Sequence, residues 1–366
     1  MKVLKKLVVI LLVAFTLVSC GKKAVDDPGK TNTHTETQTS TVTSETKTTP
    51  VDFQLPSDRG VWYEIFVRAF ADSDGDGIGD FNGLTAKLDY LVDLGISGLW
   101  LMPINESPSY HQYDVTDYYA IDPDYGTMED FENFLAECKA RDIEVIIDLV
   151  VNHSSSQHPW FIEASKDKNS EYRDYYRWVD EDAEGINVRD RWYKKGDQYY
   201  FAHFWDQMPD LNFDNPKVRE EIKDIAKFWL EKGVAGFRMD AAMHIYTVNE
   251  LAKGSNLLAP NQDWWKEFDA YCKEINPDYY LVGEVWADAK TRSFYIESFK
   301  TLFNFDVGND SIITILKTGN DNGFNKTVQN AYNYYNRVTK DYIDAPFITN
   351  HDQARSMTLL GTDEVK

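Results

Sequence analysis

From Val61 onward, short unbroken apolar runs alternate with longer stretches whose apolar residues recur every three or four positions. The runs are "VWYEIFV" (61–67), "SGLWLMP" (97–103), "IEVIIDLV" (143–150), "VAGFRMD" (234–240), "YYLVGEV" (279–285), "LFNFDV" (302–307) and "APFITN" (345–350). Helical periodicity fills intervals between them, as in "TMEDFENFLAECKAR" (127–141) and "PKVREEIKDIAKFWLEK" (216–232). Asn215 followed by Pro216 is a cap and first-turn signal for the second of these. Strands that are apolar at nearly every position are covered on both faces, so the repeated βα units predict a parallel sheet. At this length a closed (β/α) barrel is expected in preference to an open, doubly wound sheet. No Gly-rich phosphate loop follows the first strand, which removes the usual nucleotide-binding case. After the third strand, about sixty residues (152–210) are rich in Trp, Tyr, charge and Gly. A loop that long seldom lacks structure of its own, so an inserted subdomain is expected.

The N-terminal region has a different pattern. Lys2, Lys5 and Lys6 precede an apolar stretch, Leu7 to Val18, that is short for a bilayer span and closes on "LVSC" (17–20) before Gly21. This resembles the lipobox of bacterial lipoproteins, which implies a signal peptide over 1–20, a lipid on Cys20 and a lipid-anchored place in the cell envelope, extracellular or facing the periplasm. From Thr31 to Thr49, ten of nineteen residues are Thr. Such a stretch has little to bury, so a disordered tether is expected over 21–57. Cys138 and Cys272 fall in helical stretches and are expected to be free, buried thiols.

With 43% hydrophobic residues in 366, the chain can bury a large core. Its formal charge of −22 argues against nucleic acid as a partner and favours neutral substrates and divalent cations. Aromatic residues at 14% suit a core, and also suit stacking on sugars.

The chemistry gathers at the C-terminal ends of the predicted strands, where barrels carry their sites. Those ends read "DLVVNH" (148–153), "GFRMDAAMH" (236–244), "GEVW" (283–286) and "FITNHD" (347–352). Residues two apart on a strand face the same way, so Arg238 and Asp240 point together into the mouth. A guanidinium keeps a neighbouring carboxylate ionised, as a nucleophile requires. A carboxyl on the next strand, Glu284, would sit near that negative charge in a partly dry pocket, which favours the protonated form that a general acid needs. Asp352 adds a third carboxylate. Any one of these could instead be a helix cap, and Asn152 and Asn350 could be turn formers. However, His111, His153, His244 and His351, four of the seven histidines, also fall at predicted strand ends or just beyond.

Together these residues resemble the α-amylase family of retaining glycoside hydrolases (glycoside hydrolase family 13), in order and spacing from about Asp58 to Asp352. The resemblance implies a (β/α)8 barrel over 58–151 and 212–366, with the family's domain B inserted at 152–211. It implies Asp240 as nucleophile, Glu284 as acid/base and Asp352 as the carboxylate that orients the sugar. Tyr113, His153, Arg238, His244, Trp286 and His351 match substrate-binding positions, and "MPDLN" (208–212) matches the motif near the end of domain B. Only fourteen residues follow Asp352, so the chain is expected to end before the eighth βα unit and the C-terminal β-domain.

"DSDGDGIGD" (72–80) sets Asp72, Asp74, Asp76, the Ile78 carbonyl and Asp80 at calcium-loop spacing, although Gly83 stands where a calcium-sensing loop has Glu. Similar loops in the oligo-1,6-glucosidase branch hold a structural ion, so Ca²⁺ is the expected cofactor. A second calcium site, again by resemblance, would use Asn152, Asp210 and the His244 carbonyl. Two departures bear on the branch. Met243 replaces the usual lysine of the "DAAKH" position, and Tyr110 replaces an Asp that closes the minus side in oligo-1,6-glucosidases. The favoured expectation is a retaining, endo-acting α-amylase on α-1,4-glucans such as starch and maltodextrins, with no nucleotide cofactor. An oligo-1,6-glucosidase, a cyclodextrinase- or neopullulanase-like hydrolase or a transglycosylase is the alternative. A tethered glycan-binding protein is the non-enzymatic reading, opposed by the presence of all three carboxylates.

Overall fold

The computed structural model describes residues 60–184, 190–247, 258–321 and 323–361. The expected signal peptide, Cys20 and the Thr-rich tether lie outside them. Seven parallel strands form one sheet in sequence order: β1 (Trp62–Ile65), β2 (Gly98–Leu101), β3 (Glu144–Leu149), β4 (Gly236–Met239), β5 (Tyr280–Gly283), β6 (Thr301–Asn304) and β7 (Ile343–Pro346). Each arises from one of the seven apolar runs. Helices Met128–Lys139 and Pro216–Glu231 form where the periodicity places them, and the Asn215 side chain caps the second through the Lys217 N–H. Cys138 and Cys272 are free and buried.

The last strand corrects the reading of "APFITN". Pairing runs from Ile343 to Pro346 and stops there, because proline has no N–H to continue the ladder. Phe347–Asn350 leave the strand, so His351 and Asp352 are carried on a loop.

Register decides which side chains share a face. Glu64 lies beside Trp100 and Trp100 beside Ile146, while Asp148 lies beside Arg238 and Arg238 beside Val282. These six face one side of the sheet. Trp100, Ile146 and Val282 form a small apolar floor there, with Trp62, Tyr280 and Phe303 packed against it. Trp62 lies over Gly98, where a Cβ would come within 2.5 Å of its ring. The alternate residues, such as Leu99, Ile147, Phe237 and Leu281, belong to the large core on the other face.

The segment after β3 has its own structure, as expected. It contains the helix Pro159–Lys166 and a three-stranded antiparallel sheet of Trp178–Val179, Gln198–Phe201 and Trp192–Lys195. Bridges His153–Asp210 and Tyr176–Leu211 pin it to the end of β3. A small ribbon, Asn105–Glu106 with Asp117–Ile121, was not signalled by the apolar pattern. His158 caps the insert's helix, with Nδ1 accepting the Trp160 N–H at 3.1 Å, and its ring lies 4.0 Å from that of Trp160.

Burial pulls His158 down to about 3 and His153 to about 4. An unfolded histidine gains its proton near pH 6.5, so between that pH and about 4 the unfolded chain binds more protons than the folded one. Stability should therefore fall as pH drops from 6.5 towards 4, by up to about 1.4 kcal/mol per pH unit for each such histidine. Asp148, Asp122 and Asp344, raised by burial, and His351, raised by Glu64, work in the opposite direction, while His203 and His244, lowered by burial, add to the loss. Melting curves across this range should show the loss, and His158→Asn, which keeps a capping side chain, should reduce it. A melting temperature that is flat with pH would contradict this account.

Candidate active site

The site is built around Arg238, whose side chain is wholly buried. Its Nη1 donates to both Asp148 oxygens at 2.9 Å and to Asp240 Oδ1 at 2.6 Å. Nη2 lies 2.8 Å from Glu284 Oε1, but off the N–H direction, so that contact is a charge pair and not a hydrogen bond. Burial works against the guanidinium's charge; Asp148, Glu284 and Asp240 overcome it and hold Arg238 well above its usual value. The strands explain the gathering. Asp148 is the register neighbour of Arg238, Asp240 is two residues on, and Glu284 follows the end of β5.

Glu284 is aimed from a second side. Ala241, just after Asp240, has φ of 47°, a backbone conformation uncommon for a residue with a Cβ. Its N–H donates to Glu284 Oε2 at 3.1 Å.

A second chain of polar contacts starts at Asp148. Tyr113 Oη donates to Asp148 Oδ2 at 2.8 Å and lies 2.8 Å from His351 Nε2, and the two rings stack at 5.4 Å and 16°. His351 Nδ1 is 2.7 Å from Glu64 Oε1, and Asp352 Oδ2 is 3.3 Å from His351 Nε2. Asp352, expected beside the other two carboxylates, contacts this site through His351 and is half exposed. Around the mouth stand aromatic surfaces. Trp286 is 51% exposed and stacks on Phe305, Phe204 is exposed beside the stacked pair His203–His244, and the next residue, Trp205, is exposed as well. Tyr110 is 68% exposed, and Met243 is half-buried against the core.

Two residues central to this site, Asp148 and Glu64, were passed over in the sequence. Both had a signal: a carboxylate interrupting an otherwise apolar strand, in "IEVIIDLV" and "VWYEIFV". Phe204 and Trp205 had none, because nothing local separates a mouth aromatic from a core aromatic.

In the 72–80 loop the carboxylates of Asp72, Asp74 and Asp80 come within 4.8 Å of one another, while Asp76 is outside this group and accepts the Ile78 N–H. Gly75 and Gly77, at φ 87° and 93°, allow the tight winding that sends their N–H groups to Asp72. Those N–H groups hold the Asp72 carboxyl below its usual range. Hard carboxylate oxygens in this number suit a calcium ion.

At the junction of the insert, Asn152 Nδ2 donates to the His244 carbonyl at 2.5 Å, and Asp210 Oδ1 accepts the His203 N–H. His153, neutral through burial, has one ring N–H but faces two oxygens, Tyr113 O at 2.9 Å and Asn152 Oδ1 at 3.1 Å. Turning the Asn152 amide resolves that conflict by giving His153 a donor. It also brings the amide oxygen against the His244 carbonyl, a pair of acceptors that a cation would bridge.

Residues 64–366 match the family model described as alpha amylase, catalytic domain. Alpha-amylase 3 of Dictyoglomus thermophilum is 51% identical over 301 residues, which are 82% of this chain and 58% of that protein. An oligo-1,6-glucosidase of Parageobacillus thermoglucosidasius is 46% identical over 204 residues, 53% of this chain and 36% of that one. Among solved structures, the alpha-amylase from H. orenii is similar with TM-score 0.75 and 48% identity, covering 83% of this chain and 64% of that chain. The chain thus spans less than two thirds of the length of each of these relatives.

Removing one partner from a buried ion pair leaves a charge without compensation, at a cost of about 3–5 kcal/mol. Asp148→Ala should lower stability by that order in chemical denaturation, whereas the exposed pair Lys168–Asp197 should contribute less than about 1 kcal/mol. Equal losses from Asp148→Ala and Asp197→Ala would remove Arg238 from the centre of this description.

Proposed function

The chain belongs to the alpha-amylase catalytic-domain family, and on that premise we propose that it is a retaining glycoside hydrolase that cuts α-1,4-glucans within the chain. The observation that carries this reading is the placing of Asp240 and Glu284 at the two terminal nitrogens of one buried guanidinium. Double displacement needs its two carboxyl groups close, about 5–5.5 Å apart, with no room for water between them. Asp240 attacks the anomeric carbon and forms a glycosyl ester as Glu284 gives its proton to the departing oxygen. Glu284 then takes a proton from water, which attacks the ester and frees Asp240. The Tyr113–His351 stack and Arg238 orient the sugar at the bond being cut, and Trp286, Phe204 and Trp205 offer flat faces to neighbouring units.

The residue at position 110 supports internal cutting. Tyr110, two-thirds exposed, puts no blocking carboxylate on the minus side. Similarity to an oligo-1,6-glucosidase supports the second reading, an enzyme acting on short α-1,6-linked substrates. Starch against isomaltose separates the two.

We propose calcium in the 72–80 loop, held by Asp72, Asp74 and Asp80, and a second ion at Asn152, Asp210 and the His244 carbonyl. The donor chemistry of the loop and the conflict at His153 support them. Bound there, calcium would brace loops and take no part in the bond cleavage. The basic and apolar run ending at Cys20 supports export and lipid anchoring of the same chain.

Asp240→Asn and Glu284→Gln should each abolish most starch hydrolysis, the second by about 10²–10⁴-fold in kcat, while the chain stays folded at a lowered melting temperature, since each takes one charge from around Arg238. The first-formed anomer followed by NMR should retain the α configuration; an inverted product overturns the mechanism. Glucose as sole early product from starch would favour the oligoglucosidase reading.

Chelation should lower the melting temperature, since an ion at a hundred times its Kd adds about 2.7 kcal/mol. Asp74→Ala should blunt that response. Identical curves with and without chelator would remove calcium from the account.

A further inference from the structure

We propose that Glu64, on the inner face of β1, is a positioning residue that holds His351 as an imidazolium, giving the sugar pocket a fixed cation besides Arg238. The donors and acceptors around the His351 ring fix its charge. Tyr113 is a buried phenol whose pKa is raised by burial well above the usual value, so it keeps its one proton. With both its oxygens at 2.9 Å from Arg238 Nη1, Asp148 acts as a carboxylate, so that proton goes to Asp148 Oδ2 at 2.8 Å. The phenol oxygen can then only accept at its other contact, from His351 Nε2 at 2.8 Å. On the far side of the ring, Nδ1 faces Glu64 Oε1 at 2.7 Å, and a carboxylate only accepts. A ring that donates from both nitrogens carries a positive charge.

The surroundings of the ring agree. Burial and Arg238 oppose the charge, while the Glu64 contact and Asp352 favour it, and the balance leaves His351 above the usual histidine value. Asp148 also attracts it. Tyr113 lies flat against the ring, the face an aromatic offers to a cation, and Trp100 meets it edge-on at 5.7 Å. Glu64 is well placed for this task. The β1–β2 register turns it to the inner face beside Trp100, and the contact joins residues 287 apart in the chain. The charged ring in turn stands 3.3 Å from Asp352, fixing a carboxylate that would otherwise swing in solvent. Its service to sugar binding rests on the glycosidase reading; the charge state of the ring does not.

The test uses the full chain labelled with ¹⁵N-histidine, with the His351 signals identified by their loss in His351→Asn. At pH 7, long-range ¹H–¹⁵N spectra should show both His351 nitrogens protonated. In Glu64→Gln, which keeps an acceptor but removes the charge, the ring should lose its proton at least one pH unit lower. Glu64→Asp, with the charge kept but set back, should titrate between the two. With maltotetraose as substrate, the alkaline limb of kcat/KM should move down with the same shift, through KM more than kcat. A neutral His351 at pH 7 in the parent chain overturns the proposal. So does an unchanged His351 titration in folded Glu64→Gln. Should the chain prove inert on glucans while His351 is charged, the glycosidase reading fails and this inference stands.

Discussion

A guanidinium with no access to water has to be surrounded by negative charge, and Arg238 is such a group. Asp148, Asp240 and Glu284 surround it, and each arrives from a different place: one strand before, the same strand, and the strand after. The two carboxylates proposed to react are thus held by the same interaction that neutralises the buried cation. Neither could be displaced without leaving Arg238 partly uncompensated. The fold thereby ties the geometry needed for chemistry to its own stability.

From that centre the polar contacts run outward through Tyr113 to His351 and Glu64, linking β1 to the loop after β7. The floor beneath is apolar, formed by Trp100, Ile146 and Val282, so the network is dry on one side and open on the other. Low dielectric below strengthens each charge contact, and the open side admits a ligand. The insert completes the rim, bringing Phe204 beside His244. Rigid strands therefore carry the groups proposed to react, and less regular segments carry the surrounding surfaces, the usual place for variation within a family.

What could be read from the chain was what depends on neighbouring residues. Seven apolar runs became seven strands because continuous apolarity is itself the mark of a strand buried on both faces. The Asn215–Pro216 cap, the insert after β3, and Arg238 facing the same way as Asp240 follow equally from local spacing. The end of β7 was misjudged within that same local range, since Pro346 stops pairing where apolarity continues.

Register lies beyond such reading. That Asp148 is the partner of Arg238, and not of a residue one step away, depends on how two strands ninety residues apart slide against each other. The same holds for Glu64, whose carboxylate meets His351 only once the sheet has curled to bring its first strand to the loop after its last. Asp72, Asp74 and Asp80 converge without Asp76, which accepts the Ile78 N–H, a grouping that even spacing along the chain does not reveal. The sequence by itself determined which strands would end at the mouth of this sheet and several of the side chains they carry there, Arg238, Asp240 and Glu284 among them. Tertiary structure decided which of them touch, because contact over long separations is set by packing and pairing, and no local pattern encodes either.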